Sequence, residues 1–175
     1  MSNPNERAFK PLKIAVMTVS DTRTEATDKS GDTLVKLLTE AGHELVEKRI
    51  VPDDIYQIRA AVSQWIADDR LNAVITTGGT GITGRDTTPE AVSALFDKQI
   101  DGFGELFRAL SYEEINTSTM QSRAVAGVAN ATYLFCLPGS TGACRTGWGK
   151  ITSHQLDYRT RPCNLVELMP RVLEK

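Results

Sequence analysis

Four apolar runs recur along the chain, and amphipathic segments separate them. The runs cover residues 12–20, 44–52, 72–77 and 132–139, and the first of them is rich in β-branched residues. Runs of this length are typical of strands that are covered on both faces. The pattern therefore predicts four strands, each leading into a loop and then a helix.

The segments between the runs carry apolar residues at helical spacing. One predicted helix ends at Gly42, and another begins near Asp53 and Asp54. A third has Thr88 as its cap and Pro89 as its first residue. Further helices are expected over residues 104–115, 118–127 and 141–156.

This alternation of strands and helices predicts a single three-layer α/β/α domain with a mostly parallel sheet. The chain shows no sequence repeat, low-complexity tract or internal linker. We therefore expect one domain over residues 12–175, preceded by a flexible N-terminal segment of residues 1–11.

Composition agrees with one globular domain. The chain has 175 residues, 41% of them hydrophobic and 24% charged, with a formal net charge of −2. This charge provides no broad basic field, so we expect no nucleic-acid partner. The sequence contains neither an apolar run long enough for a membrane span nor the apolar core of a signal peptide, which predicts a cytoplasmic protein without membrane contact.

The cysteines and histidines do not form a metal-binding or redox motif. Cys136, Cys144 and Cys163 are too widely spaced for a C-x-x-C pair, and their odd number argues against a disulfide framework. The two histidines, His43 and His154, are too few for a structural zinc site without clustered thiols. We expect buried, reduced thiols.

Candidate chemistry lies where the strands end, because ligands of parallel sheets bind beyond the carboxyl ends of the strands. The first strand ends at Ser20 and Asp21, and the second is followed by Asp53 and Asp54. The third runs into the sequence T-T-G-G-T-G-I-T-G-R-D of residues 76–86, and the fourth ends at residues 138–140.

The glycine-rich sequence has the G-x-G-x-x-G spacing of a dinucleotide-binding turn and nearly that of a P-loop. A dinucleotide turn opens a helix directly, but Pro89 places the next helix several residues later. A P-loop needs Lys and Ser or Thr where this chain has Arg85 and Asp86. Neither pattern fits well.

The same residues suit a phosphate ester bound together with Mg²⁺. Glycine amides and threonine hydroxyls can hold the anion, Arg85 adds a positive charge, and Asp86 is a suitable Mg²⁺ ligand. In the alternative interpretation, the glycines only shape a turn and Arg85 and Asp86 form a surface ion pair.

Five blocks of sequence occur in an order that resembles a known family. They are T-T-G-G-T-G-I-T-G-R-D-T-T-P-E-A, I-V-P-D-D, D-G-F-G-E-L-F-R, S-R-A-V-A-G and L-P-G-S. The chain resembles the MoaB/MogA family of molybdenum cofactor biosynthesis proteins, and also the G domain of gephyrin-type proteins. The blocks A-C-R-T and R-T-R-P-C-N resemble the MoaB branch. The resemblance extends from about residue 12 to residue 163.

The resemblance implies a molybdopterin adenylyltransferase, which transfers AMP from ATP to the terminal phosphate of molybdopterin and releases pyrophosphate. It implies that Asp53 and Asp86 are the catalytic acids and Mg²⁺ ligands. Arg85 is added to the binding set from the chemistry of the loop. The predicted molybdopterin- and nucleotide-binding residues are Ser20, Asp21, Thr76, Thr77, Gly78, Gly79, Thr80, Gly81, Arg85, Glu105, Ser111, Ser122, Pro138, Gly139 and Ser140.

The resemblance also implies a homotrimer or homohexamer and a downstream molybdenum insertase as partner. The apolar stretch of residues 165–173 is a candidate subunit contact. Two other functions stay open: a molybdopterin- or nucleotide-binding protein of the same pathway without turnover, and an NAD(P)-dependent oxidoreductase that uses the G-x-G-x-x-G spacing.

Overall fold

A six-stranded sheet forms the middle layer of the protein, whose computed structural model describes residues 7–174. The spatial order of the strands is β2-β1-β3-β6-β5-β4. The first four are mutually parallel, and β5 is antiparallel to both of its neighbours, β6 and β4. The strands are β1 (Lys13–Val19), β2 (Glu44–Val51), β3 (Ala73–Thr77), β4 (Lys98–Gln99), β5 (Val125–Ala129) and β6 (Thr132–Leu137).

Helices cover both faces of this sheet, which confirms the predicted three-layer α/β/α domain. On one face α1 (Lys29–Glu40), α4 (Asp101–Ile115) and α5 (Thr141–Gly147) pack on the sheet, and on the other face α2 (Ile55–Ile66) and α3 (Thr88–Ser93) do so. The two apolar clusters meet the sheet from opposite sides. Alternate residues of the buried strands therefore serve different clusters.

The prediction of a helix over residues 118–127 is wrong. A 3₁₀ turn occupies Asn116–Gln121, and β5 then pairs with β6 through a two-residue turn. Asn130 and Ala131 have φ values of 46° and 63°, as tight hairpins require. A short run of small apolar residues fits a helix and a buried strand equally well, and pairing with a distant strand decided between them.

The proposed capping role of Thr88 is also wrong. Thr88 is the first residue of α3, and its hydroxyl donates to the carbonyl of Gly78 at 2.9 Å. This bond ties the start of α3 to the glycine-rich loop. The helix expected over residues 141–156 is confirmed as α5, a π turn at Trp148–Thr152 and the short α6 (Ser153–Gln155).

The C-terminal stretch packs on its own domain. It forms α7 (Leu165–Leu168) and a 3₁₀ turn at Met169–Arg171. Val166 is buried, and Leu165, Met169 and Val172 lie against the core. Most of the stretch that the sequence suggested as a subunit contact is therefore used within the chain, because its apolar face covers the domain's own sheet.

At the N-terminus, residues 7–11 contact the domain. Arg7 donates to the carbonyl of Tyr158 at 3.2 Å and pairs with Glu167, and Phe9 packs against His43. Residues 1–6 lie outside the described residues, where the predicted flexibility stays a prediction. None of the helices within residues 7–174 has the length and apolar character needed to cross a membrane.

Candidate functional site

A crevice opens where the strand order reverses. From β1 the chain passes to β2 on one side and later to β3 on the other, so the carboxyl ends of β1 and β3 flank the switch point at which α/β sheets bind ligands. A cavity of about 460 Å³ lies there. Its lining residues are Val19, Ser20, Thr22, Arg23, Gly78, Gly79, Thr80, Gly81, Asp86, Gln121, Ser122, Pro138 and Gly139.

The glycine-rich loop needs glycine at two positions. Gly78 and Gly79 have φ values of 104° and 66°, in a region that residues other than glycine rarely adopt. A Cβ on Gly78 would lie 2.2 Å from the carbonyl oxygen of Val19, and one on Gly79 would lie 2.3 Å from the hydroxyl of Thr88. These glycines let the loop approach the end of β1 closely, which shapes the floor of the crevice.

Asp86 closes the loop and is held as an anion. Its Oδ2 accepts hydrogen bonds from the amide of Thr83 at 2.9 Å and from the hydroxyl of Thr83 at 2.5 Å. The hydroxyl of Thr83 lowers the pKa of Asp86 most, and the amides of Thr83 and Gly81 and the charge of Arg123 add to this effect against partial burial. The carboxylate is therefore ionised and oriented by its own loop.

Asp53 lies just after the end of β2, and its surroundings raise its pKa, whereas those of Asp86 lower it. The amide of Asp21 donates to Oδ2 of Asp53 at 2.8 Å, and the amide of Asp53 donates to Oδ1 of Asp21 at 3.0 Å. Burial raises the pKa of Asp53, and the charges of Asp21 and Asp86 raise it further, against that backbone bond and Arg85. The charge of Asp53 is therefore less well stabilised by its surroundings than that of Asp86, and a cation would stabilise it.

Arg85 pairs with Asp21 and not with Asp86. Its Nε and Nη2 bind the Asp21 carboxylate at 2.7 to 2.9 Å, and this contact lowers the pKa of Asp21. The alternative interpretation, in which Arg85 and Asp86 form a surface ion pair, is therefore wrong. The actual pair joins the glycine-rich loop to the loop after β1, because the Asp86 carboxylate turns inward to Thr83.

The structure brings together most of the predicted binding residues. Ser20, Gly78 to Gly81, Ser122, Pro138 and Gly139 line the cavity with Asp86. The Ser20 hydroxyl accepts hydrogen bonds from the amides of Thr22 and Arg23. Ser140 caps α5 through a hydrogen bond from the amide of Ala143 at 3.1 Å.

Thr76 and Thr77 lie differently from the expectation. Both are buried within β3, and the Thr77 hydroxyl donates to the carbonyl of Pro138 at 2.9 Å. The hydroxyl of Thr76 is buried without a hydrogen-bond partner among the described residues. Their side chains support the crevice from below and do not line it.

Glu105 and Ser111 lie outside the crevice. Glu105 is exposed on α4 and lines a separate cavity of about 200 Å³ together with Arg108. Ser111 is buried on the same helix. The structure therefore does not bring these two predicted binding residues to the crevice.

Sequence reasoning missed four cavity-lining residues, one of them Val19 at the end of β1, and one supporting arginine. Thr22 and Arg23 follow the end of β1, and Gln121 precedes β5. Arg23 could have been found, because it follows a strand end at the edge where ligands bind. Arg123 binds the carbonyl oxygens of the glycine-rich loop, and the wrong helix over residues 118–127 concealed this role.

The two acids fit Mg²⁺ only in combination with bound phosphate. The described residues contain no group of three or more His, Cys, Asp or Glu side chains that could hold a metal ion alone. Mg²⁺ in phosphoryl-transfer sites uses one or two carboxylates plus phosphate oxygens. Hydrogen bonds among the described residues use Oδ2 of both Asp53 and Asp86, which leaves an oxygen on each for a cation.

Comparisons with known proteins agree with this geometry. The family described as "Probable molybdopterin binding domain" matches residues 15–158. Molybdenum cofactor biosynthesis protein B of Escherichia coli strain K12 is 58% identical over 156 residues, which cover 89% of this chain and 92% of that protein.

Solved structures show the same likeness. A crystal structure of molybdenum cofactor biosynthesis protein B has a TM-score of 0.83 at 49% identity, covering 86% of this chain and 94% of that one. The tungsten cofactor synthesizing protein MoaB from Pyrococcus furiosus has a TM-score of 0.75 at 42% identity, covering 84% and 94%.

Proposed function

The chain belongs to the MoaB/MogA family of molybdenum cofactor biosynthesis proteins, and we propose that it adenylylates molybdopterin with ATP. The observation that carries this proposal is the position of Asp53 and Asp86. Both acids stand at the switch-point edge of the sheet, Asp86 lines the polar cavity, and its charge acts on Asp53. A site that only binds a pterin phosphate does not need two acids, because they would repel the ligand.

In the proposed reaction, an oxygen of the terminal phosphate of molybdopterin attacks the α-phosphorus of ATP. A new P–O bond forms, the bond from the α-phosphorus to the bridging oxygen breaks, and pyrophosphate leaves with that electron pair. No covalent intermediate with the protein is needed. The protein contributes mainly by positioning two anions and by neutralising their charge.

The residues of the crevice divide this work. Glycine-loop amides and the Thr80 hydroxyl hold phosphate oxygens, and Arg23 supplies a positive charge at the cavity. Asp86 and Asp53 would hold Mg²⁺, which neutralises charge on the transferring and leaving oxygens when bound. The donors of its own loop stabilise the charge of Asp86 in advance, whereas the charge of Asp53 is stabilised mainly when a cation binds.

The direct test is incubation of the protein with molybdopterin, ATP and Mg²⁺, followed by detection of adenylylated molybdopterin and pyrophosphate. The alternative function is molybdopterin binding without turnover, which the family description favours by naming binding alone. That alternative predicts tight pterin binding and no adenylylated product in the same assay.

The oxidoreductase alternative has little support. The glycine-rich loop does not open a helix directly, since α3 begins at Thr88 after a further turn. We expect NADH to bind weakly and to remain unoxidised. Tight binding in a fluorescence titration would restore this alternative.

We also propose a homotrimer or homohexamer whose subunits meet at α4, with a molybdenum insertase receiving the product. Leu106, Tyr112 and Ile115 on α4 and Met120 in the following turn are exposed large apolar side chains. Such a group is typical of an interaction surface. Light scattering that shows a monomer at micromolar concentration would contradict the assembly.

A further inference from the structure

Arg123 binds the glycine-rich loop at several points from outside the cavity. Its amide donates to the carbonyl of Thr80 at 3.0 Å, its Nε to the carbonyl of Gly81 at 2.7 Å, and its Nη2 to the carbonyl of Asp86 at 2.6 Å. Nη1 pairs with the carboxylate of Glu90 on α3. One residue thus holds the loop on both sides of the turn that ends in Asp86.

These bonds fix the direction of the loop amides. In a trans peptide the carbonyl and the following N–H point in opposite directions. The backbone amide of Arg123 holds the carbonyl of Thr80, so the N–H of Gly81 points away from Arg123, and the side chain adds the bonds that hold the carbonyls of Gly81 and Asp86. The Asp86 carboxylate lies beside Gly81, since a Cβ on Gly81 would be 2.7 Å from its Oδ2. A hydrogen bond from the Gly81 amide lowers the pKa of that carboxylate.

We propose that Arg123 is a positioning residue that aims the Asp86 carboxylate into the crevice by fixing the peptide planes around Gly81 and Asp86. Arg123 itself does not line the cavity, so it acts through the loop. The effect of Arg123 on turnover rests on the proposed adenylylation, whereas its effect on the conformation of the loop is independent of that proposal.

The guanidinium group is specifically suited to this role. Its planar fork donates to two carbonyls and a carboxylate at once, whereas a Lys ammonium on a flexible stem cannot reproduce that arrangement. Arg123→Lys therefore keeps the charge and removes the geometry. This separates positioning from simple electrostatic attraction.

Arg59 offers a matched control. Its guanidinium also donates to two backbone carbonyls, those of Ala91 at 3.4 Å and Glu90 at 3.2 Å, but these lie on α3 and not in the loop. If the effect of Arg123 were only structural, Arg59→Lys and Arg123→Lys would behave alike. We expect similar thermal stability in both.

The first experiment measures hydrogen exchange at the amides of Gly81 and Thr83 by NMR, without any ligand. We expect exchange about 10-fold faster or more in Arg123→Lys than in wild type, and no change in Arg59→Lys, because the guanidinium holds the carbonyls of Gly81 and Asp86, at the two ends of the segment that carries those amides. Unchanged exchange in Arg123→Lys would overturn the proposal.

The second experiment measures kcat and KM with molybdopterin, ATP and saturating Mg²⁺. We expect kcat to fall about 10- to 100-fold in Arg123→Lys, with KM changed less than about threefold, since a misplaced carboxylate loses mainly transition-state stabilisation. Guanidinium at millimolar concentration should restore part of kcat in Arg123→Ala. Equal kcat in wild type and Arg123→Lys would also overturn the proposal.

The two experiments separate two kinds of failure. If the wild-type protein forms no adenylylated molybdopterin, the proposed function fails, and the amide exchange still decides the role of Arg123. If wild type turns over normally and Arg123→Lys matches it in both measurements, the positioning role fails alone.

Discussion

Asp86 and Asp53 are acids of the same type at the same edge of the sheet, but their surroundings shift their pKa values in opposite directions. Asp86 accepts donors from residues a few positions away, and its pKa is lowered. Asp53 and Asp21, which lie on different loops, each donate their backbone amide to the carboxylate of the other, and burial and neighbouring acids raise the pKa of Asp53.

This difference indicates a division of roles. A carboxylate stabilised in advance by amide and hydroxyl donors needs little reorganisation when charge develops nearby. A carboxylate that stands against another acid is better stabilised by an arriving cation. We therefore expect Asp86 to govern turnover and Asp53 to govern mainly the affinity for Mg²⁺.

The largest expected effect is that of Asp86→Asn, which removes a charge at nearly constant volume. We expect kcat to fall on the order of 10²-fold or more, as on loss of a well-placed electrostatic stabiliser, while pterin affinity changes less. Additional Mg²⁺ should recover only part of the loss. Product formation and pterin binding are measured side by side, and unchanged turnover would refute the role given to Asp86.

A smaller effect is expected for Asp53→Asn. At limiting Mg²⁺ we expect kcat about 10-fold below wild type, because one of two carboxylates is lost. Saturating Mg²⁺ should restore most of the activity. A Mg²⁺ titration of both variants tests the division of roles, which is wrong if Asp53→Asn is rescued no better than Asp86→Asn.

Stability should change in opposite directions in the same two variants. A lowered pKa means that ionised Asp86 stabilises the fold above its unfolded pKa of about 3.9, and this is lost as pH falls through its folded pKa. The raised pKa of Asp53 means that its charge destabilises the fold above its folded pKa, and this penalty is absent below its unfolded pKa.

Near pH 7 we therefore expect Asp86→Asn to lower the free energy of unfolding and Asp53→Asn to raise it, each by less than about 1 kcal/mol at these solvated positions. The two variants should converge only as pH falls through the folded pKa of Asp86. Denaturant unfolding at several pH values measures both signs. Equal signs at pH 7 would show that the two environments do not differ as described.

The smallest effect concerns Arg85, which the structure places on the Asp21 side of the comparison. Arg85→Gln should weaken ATP binding about threefold at low salt and less at high salt, because Arg85 must leave Asp21 to reach a phosphate. Arg159→Gln is the control, since Arg159 binds Asp157 in the same bidentate way. Equal ATP affinity in wild type and both variants would leave Arg85 with a structural role alone.

Local pattern was sufficient for much of the fold and part of the site. Residues in and next to β1, β2, β3 and β6 showed apolar runs, and the loops that follow them carry the predicted Ser20, Asp53, Asp86 and Pro138. These features could be predicted because strand periodicity and turn composition depend on neighbouring residues. Parallel strands then bring their carboxyl ends to one edge by geometry alone.

Only the tertiary structure decided the rest. The segment that forms β5 became a strand because β6 was available to pair with it, and Thr76 and Thr77 are buried because helices cover β3. Arg85 binds Asp21, which is 64 residues away in the sequence, and Arg123 binds Gly81 in the glycine-rich loop, which is 42 residues away. Such contacts depend on which distant segments pack together, and the spacing of residues along the chain does not show which segments do so.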